Sequence, residues 1–420
     1  MPFLSAPHRL MFATGLGLAL LGMLLWLVDV SARFAGLWAA PIWPVAPSWW
    51  HGALMLYGVF PCFIFGFLMT ALPKWVSAPA LRPIQYLPAW GGLLAGWLLF
   101  FLGLLAVSAS LLAVGLAVVA FGWGWGAWQI FRACCWPQPV MLDRRHAHAA
   151  VAALSLGWLG LMAQALGMLT PLWPELGWLG HGVEWAEALG LWGCLLPIFA
   201  IVSHRMLPFF TGAAVQGYVV YRPMPLLWVW LAGLVGHGVA GLLSLPWLLL
   251  LADGVVVAVA GWCVWRWWRG AGAWGRAGMG RILQAPLVAV LHVANLWLVL
   301  GMLLQFGSDL RQLAGLPGWG LAPLHALGVG YFGSLVLGMA TRVTLGHSGR
   351  MLTETVGLVW PLFLAYQLVP VLRVLGEFVY WPGLGNLYVW AVLGWLGAFA
   401  LWGWAHAGMY FRARPDGQPG

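Results

Sequence analysis

Twelve apolar runs, each long enough to cross a bilayer as a helix, leave this chain little choice of fold. They fall at roughly 10–29, 51–72, 86–106, 109–131, 147–169, 183–203, 225–244, 247–265, 282–304, 322–341, 355–374 and 387–409. Backbone polar groups in hydrocarbon must be satisfied within the chain, so runs of this length predict helices. Composition enters here: 63% of the 420 residues are hydrophobic and 7% are charged, against about 25% charged in soluble domains. No soluble core absorbs that much apolar surface. The expected architecture is all-α, one polytopic transmembrane helix bundle over residues 1–420 with no separate soluble domain or long linker. Pro and Gly clusters punctuate the runs, as in PIWPVAP at 41–47, TPLWPELG at 170–177 and GLPGWG at 315–320. The first run shows no signal-peptide cleavage pattern and reads as the first span.

Basic residues then orient the bundle. With both termini cytoplasmic, only Arg33, Arg311 and Arg373 fall outside, which leaves 16 of the 19 basic residues inside. Asp29, Glu175, Glu184, Glu187, Asp253, Asp309 and Glu377 lie outside or near it. That imbalance predicts an even helix count with N and C termini in the cytoplasm. The net charge of +9 invites a nucleic-acid reading, but no basic patch is interleaved with aromatics. The charges sit in short loops, so lipid is the expected partner and nucleic acid is not. Trp49, Trp50, Trp75, Trp178, Trp247 and Trp381 stand near predicted helix ends, as an interfacial belt requires. The cysteines, Cys62, Cys134, Cys135, Cys194 and Cys263, form no CxxC, CxxCH or zinc spacing.

Chemistry is expected at histidine. His51, His181, His237, His292 and His325 lie within or at the mouths of apolar helices, where an ionisable group is costly unless paired or liganded. Neutral imidazole also ligates haem iron and copper without importing charge. The topology puts His51 at the outer end of helix 2 and His325 at the outer end of helix 10, a shared depth that axial ligands of one haem need. His292 reads as near the middle of helix 9, and His237 as in the outer half. His146 and His148 read as a solvated inner face; His8 and His406 read as interfacial. His181, Glu184 and Glu187 have helical spacing that suits either a cation or proton site or a solvated helix start.

The densest signal is HALGVGYFGSLVLGMATRVTLGHSGR, from His325 to Arg350. Its uncharged part, His325 to Arg342, spans about 25 Å as a helix. Gly330, Ser334 and Gly338 recur every fourth residue, which permits close helix approach. With Val329, Phe332, Val336 and Met339 on the other face, this helix reads as central to the bundle. Arg342, His347 and Arg350 crowd its inner end, and Arg205 ends helix 6 on the same side. These arginines read either as topology anchors or as a carboxylate clamp.

Several segments resemble the NnrS family of haem- and copper-containing membrane proteins linked to the bacterial response to nitric oxide. They are PHRLMF at 7–12, HGALMLYGVFPCFIFGFLMTALPKW at 51–75, SHRMLPFFT at 203–211, APLVAVLHVANLW at 285–297 and the His325–Arg350 stretch. The likeness is spread over the whole chain. It implies haem b as cofactor, leaves copper open, and suggests nitric oxide or a similar small gas as ligand in a bacterial inner membrane. His51 and His325 are then haem or metal ligands, with His292 and His237 as further candidates. Arg205, Arg342 and His347 become partners of haem propionates or of an anionic molecule. No catalytic residue is assigned and the electron donor is unidentified. Many family members carry a His-Glu pair just inside helix 2, where this chain has Ala53 and Leu54; the missing pair bears on copper rather than haem. Two other classes are weighed. A secondary transporter of a small neutral or anionic solute shares the helix count, but Pro61, Pro197 and Pro286 mark no matching halves, and mid-depth charges are scarce. A distant haem–copper oxidase or nitric oxide reductase shares histidines on helices 2 and 10, yet its adjacent His-His pair is missing.

Overall fold

The computed structural model describes residues 2–137, 142–168, 181–270, 280–350 and 356–416. Among them every regular element is helical, and twelve helices are long and apolar enough to cross a membrane. They are α1 (Pro7–Ala35), α2 (Pro47–Trp75), α3 (Pro83–Leu105), α4 (Ala109–Cys134), α5 (Arg145–Gly167), α6 (Gly182–Ala214), α7 (Met224–Leu242), α8 (Pro246–Arg269), α9 (Pro286–Leu313), α10 (Ala322–His347), α11 (Gly357–Leu375) and α12 (Leu387–Phe411). All twelve spans expected from the sequence are present, and most are longer by several residues. The segment 170–177, Trp178 and Arg276 lie outside the described residues.

Local chemistry explains where the helices start. In seven of the twelve, Pro occupies one of the first two helical positions, where its missing N–H costs nothing and its fixed φ suits the helix. Gly36 closes α1 at φ 65, and its N–H reaches Ala32 O at 3.2 Å. Arg9 donates to Arg412 O at 2.8 Å, and Phe3 stacks on Phe411 at 4.6 Å, so both chain ends share one side. We call this the termini end and its opposite the far end. Even-numbered helices run from far end to termini end.

The centre belongs to α2, α6 and α10. Their apolar windows are 83%, 83% and 72% buried, ahead of every other span. The same three helices contain π-helical segments: Met55–Val59 in α2, Ala188–Leu195 in α6 and Ala326–Gly333 in α10. Pro61 and Pro197 each stand two residues beyond such a segment. Proline offers no N–H to the carbonyl four residues back, so the hydrogen-bond ladder must reset there. In α10 no proline follows, but ALGVGYFG carries three glycines. Tyrosine hydroxyls take carbonyls at these irregular turns. Tyr57 of α2 donates to Ala186 O of α6 at 2.6 Å, and Tyr366 of α11 donates to Val329 O of α10 at 2.7 Å.

Small residues set the closest helix approaches. A Cβ on Gly330 would meet Trp297 at 2.6 Å and one on Gly338 would meet Val290 at 2.6 Å, so that face of α10 packs on α9. Ser334 instead accepts from Gln367 Nε2 of α11 at 3.1 Å. In the α3–α4 pair, a Cβ on Gly122 would lie 2.6 Å from Leu93 N and 2.8 Å from Ala89 O. Backbone atoms cannot swing aside. Gly122→Val is therefore expected to cost at least the roughly 1–3 kcal/mol of overpacking, seen as a lower unfolding midpoint in detergent. An unchanged midpoint would mean the two helices separate without penalty.

The tryptophan belt is only partly as expected. Trp247 and Trp381 are exposed near helix ends, but Trp50 is fully buried, 5.5 Å from Trp26 and 5.4 Å from Trp43 between ring centres. Because α2 is a central helix, even its first turn is covered by neighbours.

Candidate functional site

Three groups of polar side chains stand out in this apolar bundle, one at the termini end and two towards the far end. His51, one turn into α2, and His325, on the fourth residue of α10, both lie at the far end. Arg373 on α11 is within electrostatic range of each. His325 Nδ1 lies 2.9 Å from Leu321 O. A backbone carbonyl in that position fixes the ring and leaves Nε2 for a ligand. Trp26 covers one face of His51 at 4.2 Å, and the buried His51 Nδ1 has no hydrogen-bond partner. A Cβ added to Gly52 or Gly328 would meet nothing within 4 Å. Two imidazoles at one depth are a donor set of the kind that would suit haem iron.

At the termini end the other expected residues appear in different company. The Arg342 guanidinium lies 3.9 Å over Phe210, and that of Arg205 lies 4.6 Å over Trp75. His347 sits 5.0 Å from the ring of His8, which is buried rather than interfacial. Within α10 alone His325 and Arg342 are about 26 Å apart at helical rise. Carboxylates of a group held by His51 and His325 are therefore out of reach of Arg205, Arg342 and His347. Arg373 and Arg33, the latter donating to Asp29 at 2.6 Å, are the arginines whose charges reach His51. The hydroxyls of the TRVTLGHSGR motif pin α10 to α12: Trp402 Nε1 donates to Thr341 at 2.9 Å, and Thr344 lies 3.0 Å from the Tyr410 hydroxyl.

Stacked arginine is sensitive to shape. Lysine keeps the charge that anchors a loop but not the plane that lies on an aromatic face. Arg342→Lys and Arg205→Lys, made separately, should insert normally yet lose about 0.5–2 kcal/mol of stability. Membrane yield and unfolding midpoint, measured together, decide it: parental values for both variants would reduce these residues to anchors.

Histidines at the termini end are more deeply buried than the sequence indicates. His146, read as solvated, is buried, with Nε2 3.0 Å from His204 Nδ1, and His204 Nε2 is 3.2 Å from Pro223 O. His406 is buried as well, with Nδ1 2.9 Å from Trp402 O. His292 stands about 9 Å from the start of α9, in the inner half rather than the middle, because α9 begins at Pro286. Its Nε2 lies 2.9 Å from Thr211 Oγ1 and its buried Nδ1 is unpartnered. Nothing joins it to the far-end pair. His204 was visible only as part of the SHRMLPFFT segment; no spacing tied it to His146.

The third group was hidden in the outward lean of the acids. His237 (α7), Asp253 (α8) and Asp309 (α9) bring one donor atom each to within 4.8 Å of one another. His237 Nδ1 is 2.6 Å from Asp253 Oδ1, and both residues are buried within the far-end half of the bundle. His181 and Glu184, by contrast, form an exposed pair at 2.8 Å, a solvated helix start. Glu187 is within electrostatic range of His237.

Two cavities lie away from the far-end groups among the described residues. One of about 490 Å³ opens at the termini end between Trp75, Asp143, Arg145, His146, Arg205 and Arg222. Hydrogen bonds from Arg145 at 2.9 and 2.8 Å hold the Asp143 carboxyl below the usual carboxylate range. The other, about 40 Å³ and apolar, is lined by α1, α2, α6 and α10, with Phe63, Phe199, Val336 and Met339 among its walls.

Comparison with known proteins places the chain. A family model described as NnrS protein matches residues 2–414. The chain belongs to the NnrS family. A search of the curated proteins returned no match. As an NnrS-family, multi-pass membrane protein it carries Ala53 and Leu54 fully packed in the core, with Leu54 against Gly22 and Gly58. Those positions offer copper no ligand.

Proposed function

We propose that this NnrS-family protein is a haem b protein of a bacterial inner membrane, acting in nitric oxide metabolism or the response to nitrosative stress. The observation that carries this reading is the position of His51 and His325 at the same end of two central helices. His325 Nδ1 is held by Leu321 O at 2.9 Å, and the buried His51 Nδ1 has no partner. Bound there, haem supplies an iron centre that takes nitric oxide as a ligand. The chain itself orients the imidazoles and excludes water with Trp26 and Trp50. Its apolar cavity of about 40 Å³ exceeds the roughly 10–15 Å³ that one water-sized probe occupies, so it can hold a neutral diatomic gas. Among the described residues 15 of 18 basic side chains lie on the termini side, which supports cytoplasmic termini and a haem near the opposite face.

An absorption spectrum of the purified, full-length protein tests the reading. A Soret band that shifts when nitric oxide is added is the expected result. Protein isolated from haem-replete cells without such a band would favour the secondary transporter.

A further inference from the structure

We propose that His237, Asp253 and Asp309 form a binding site for one divalent metal ion, separate from the far-end histidine pair. Three consecutive helices, α7, α8 and α9, contribute one donor each, and the donor atoms lie within 4.8 Å of one another. His237 is 7% exposed and Asp253 is 0% exposed. Asp253 Oδ1 is engaged by His237 Nδ1 at 2.6 Å, and the buried Asp253 Oδ2 has no N–H donor, only the facing carboxyl of Asp309. A carboxylate oxygen removed from water and left without a donor is expensive. Something positive belongs beside it.

Charge decides what that is. Two carboxylates facing each other in an apolar bundle must either share a proton or be balanced by a cation, and no Arg or Lys pairs with Asp253 or Asp309 among the described residues. A dication with two carboxylates and a neutral imidazole sums to zero, the cheapest state in low dielectric. One nitrogen and two carboxylate oxygens suit zinc, manganese or ferrous iron. No sulfur is among the three donors, so the soft-ligand preference of cuprous copper is unmet.

The surroundings match those of a metal site. Gln305 Nε2 donates to both oxygens of Asp309 at 3.1 Å, holding that carboxylate in place. The indole of Trp192 lies flat on His237 at 3.5 Å. Outer partners of this kind fix the orientation of ligands. Asp309 is half-buried and gives the site an open side.

The experiment loads the detergent-purified full chain with zinc after chelation and counts bound zinc by elemental analysis. One zinc per chain is expected. Asp253→Asn and Asp309→Asn keep the side-chain shape and should each weaken binding by more than the roughly 10–100-fold typical of losing an outer partner. Gln305→Ala should fall within that 10–100-fold range. His181→Ala, which removes the exposed histidine, should bind zinc like the parent. X-ray absorption on the zinc-loaded parent should show nitrogen and oxygen at about 2.0–2.2 Å, imidazole scattering and no sulfur. It decides the matter even if an Asn variant fails to accumulate. A parent that binds no zinc, a sulfur-containing shell, or unchanged binding in both Asn variants would overturn the site and leave a shared proton as its occupant. Haem absorbance is read on the same samples, so loss of the haem reading and loss of this site are told apart.

Discussion

Replacing His325 by alanine is expected to abolish the Soret band of the purified protein, and His51→Ala to abolish or displace it, with membrane yield unchanged in both. Each substitution removes an imidazole at the far end without creating a buried charge, so insertion has no reason to fail. His292→Ala supplies the contrast. Its Nε2 is engaged by Thr211 at 2.9 Å in the other half of the bundle, and its loss should leave the band in place. Parental spectra in both far-end variants would assign those histidines to packing. Loss of the band only in His292→Ala would move the haem to the termini end, within reach of Arg342.

Gly190→Ala is expected to be strongly destabilising although it adds a single methyl group. Its Cβ would fall on the Tyr57 hydroxyl and 2.8 Å from Tyr57 Cζ. Tyr57 cannot yield cheaply, because its hydroxyl donates to Ala186 O at 2.6 Å across the α2–α6 contact. Overpacking costs about 1–3 kcal/mol, and a buried carbonyl left without its donor adds about 1–3 kcal/mol. Tyr57→Phe alone removes the hydrogen bond but not the fit. The double variant Gly190→Ala with Tyr57→Phe should therefore be less destabilised than the two single changes added together. Denaturant midpoints of the four proteins in one detergent give the answer. Strict additivity would show that the tyrosine moves aside freely.

How much of this was legible in the sequence depends on whether a feature is local. The spans were, since apolar length is a property of consecutive residues, and so was the shared depth of His51 and His325, which follows from alternating helix direction. The His237–Asp253–Asp309 group was not. Asp253 and Asp309 read as two more outward acids because nothing local reveals that α8 and α9 turn them towards each other. His146 was misread for a related reason: beside Asp143, Arg144 and Arg145 it looks solvated, yet its face of α5 meets His204 of α6. The depth of His292 depended on a helix start that Pro286 sets and the apolar run conceals.

The π-helical segments give the far end a phase. Each carries a residue more than regular α-helix would use over the same rise, so whatever precedes it is rotated relative to whatever follows. Deleting one residue from Met55–Val59 would let α2 close into a regular helix and swing Pro47–Leu54 round by about 100°, carrying His51 from facing α10 to facing elsewhere, while Phe60–Trp75 stayed where it is. The same deletion in Ala326–Gly333 would turn His325. The aim of both imidazoles is thus encoded not in the histidines but in a single surplus residue about one turn along each helix, and chains that carry both histidines without it would point them apart.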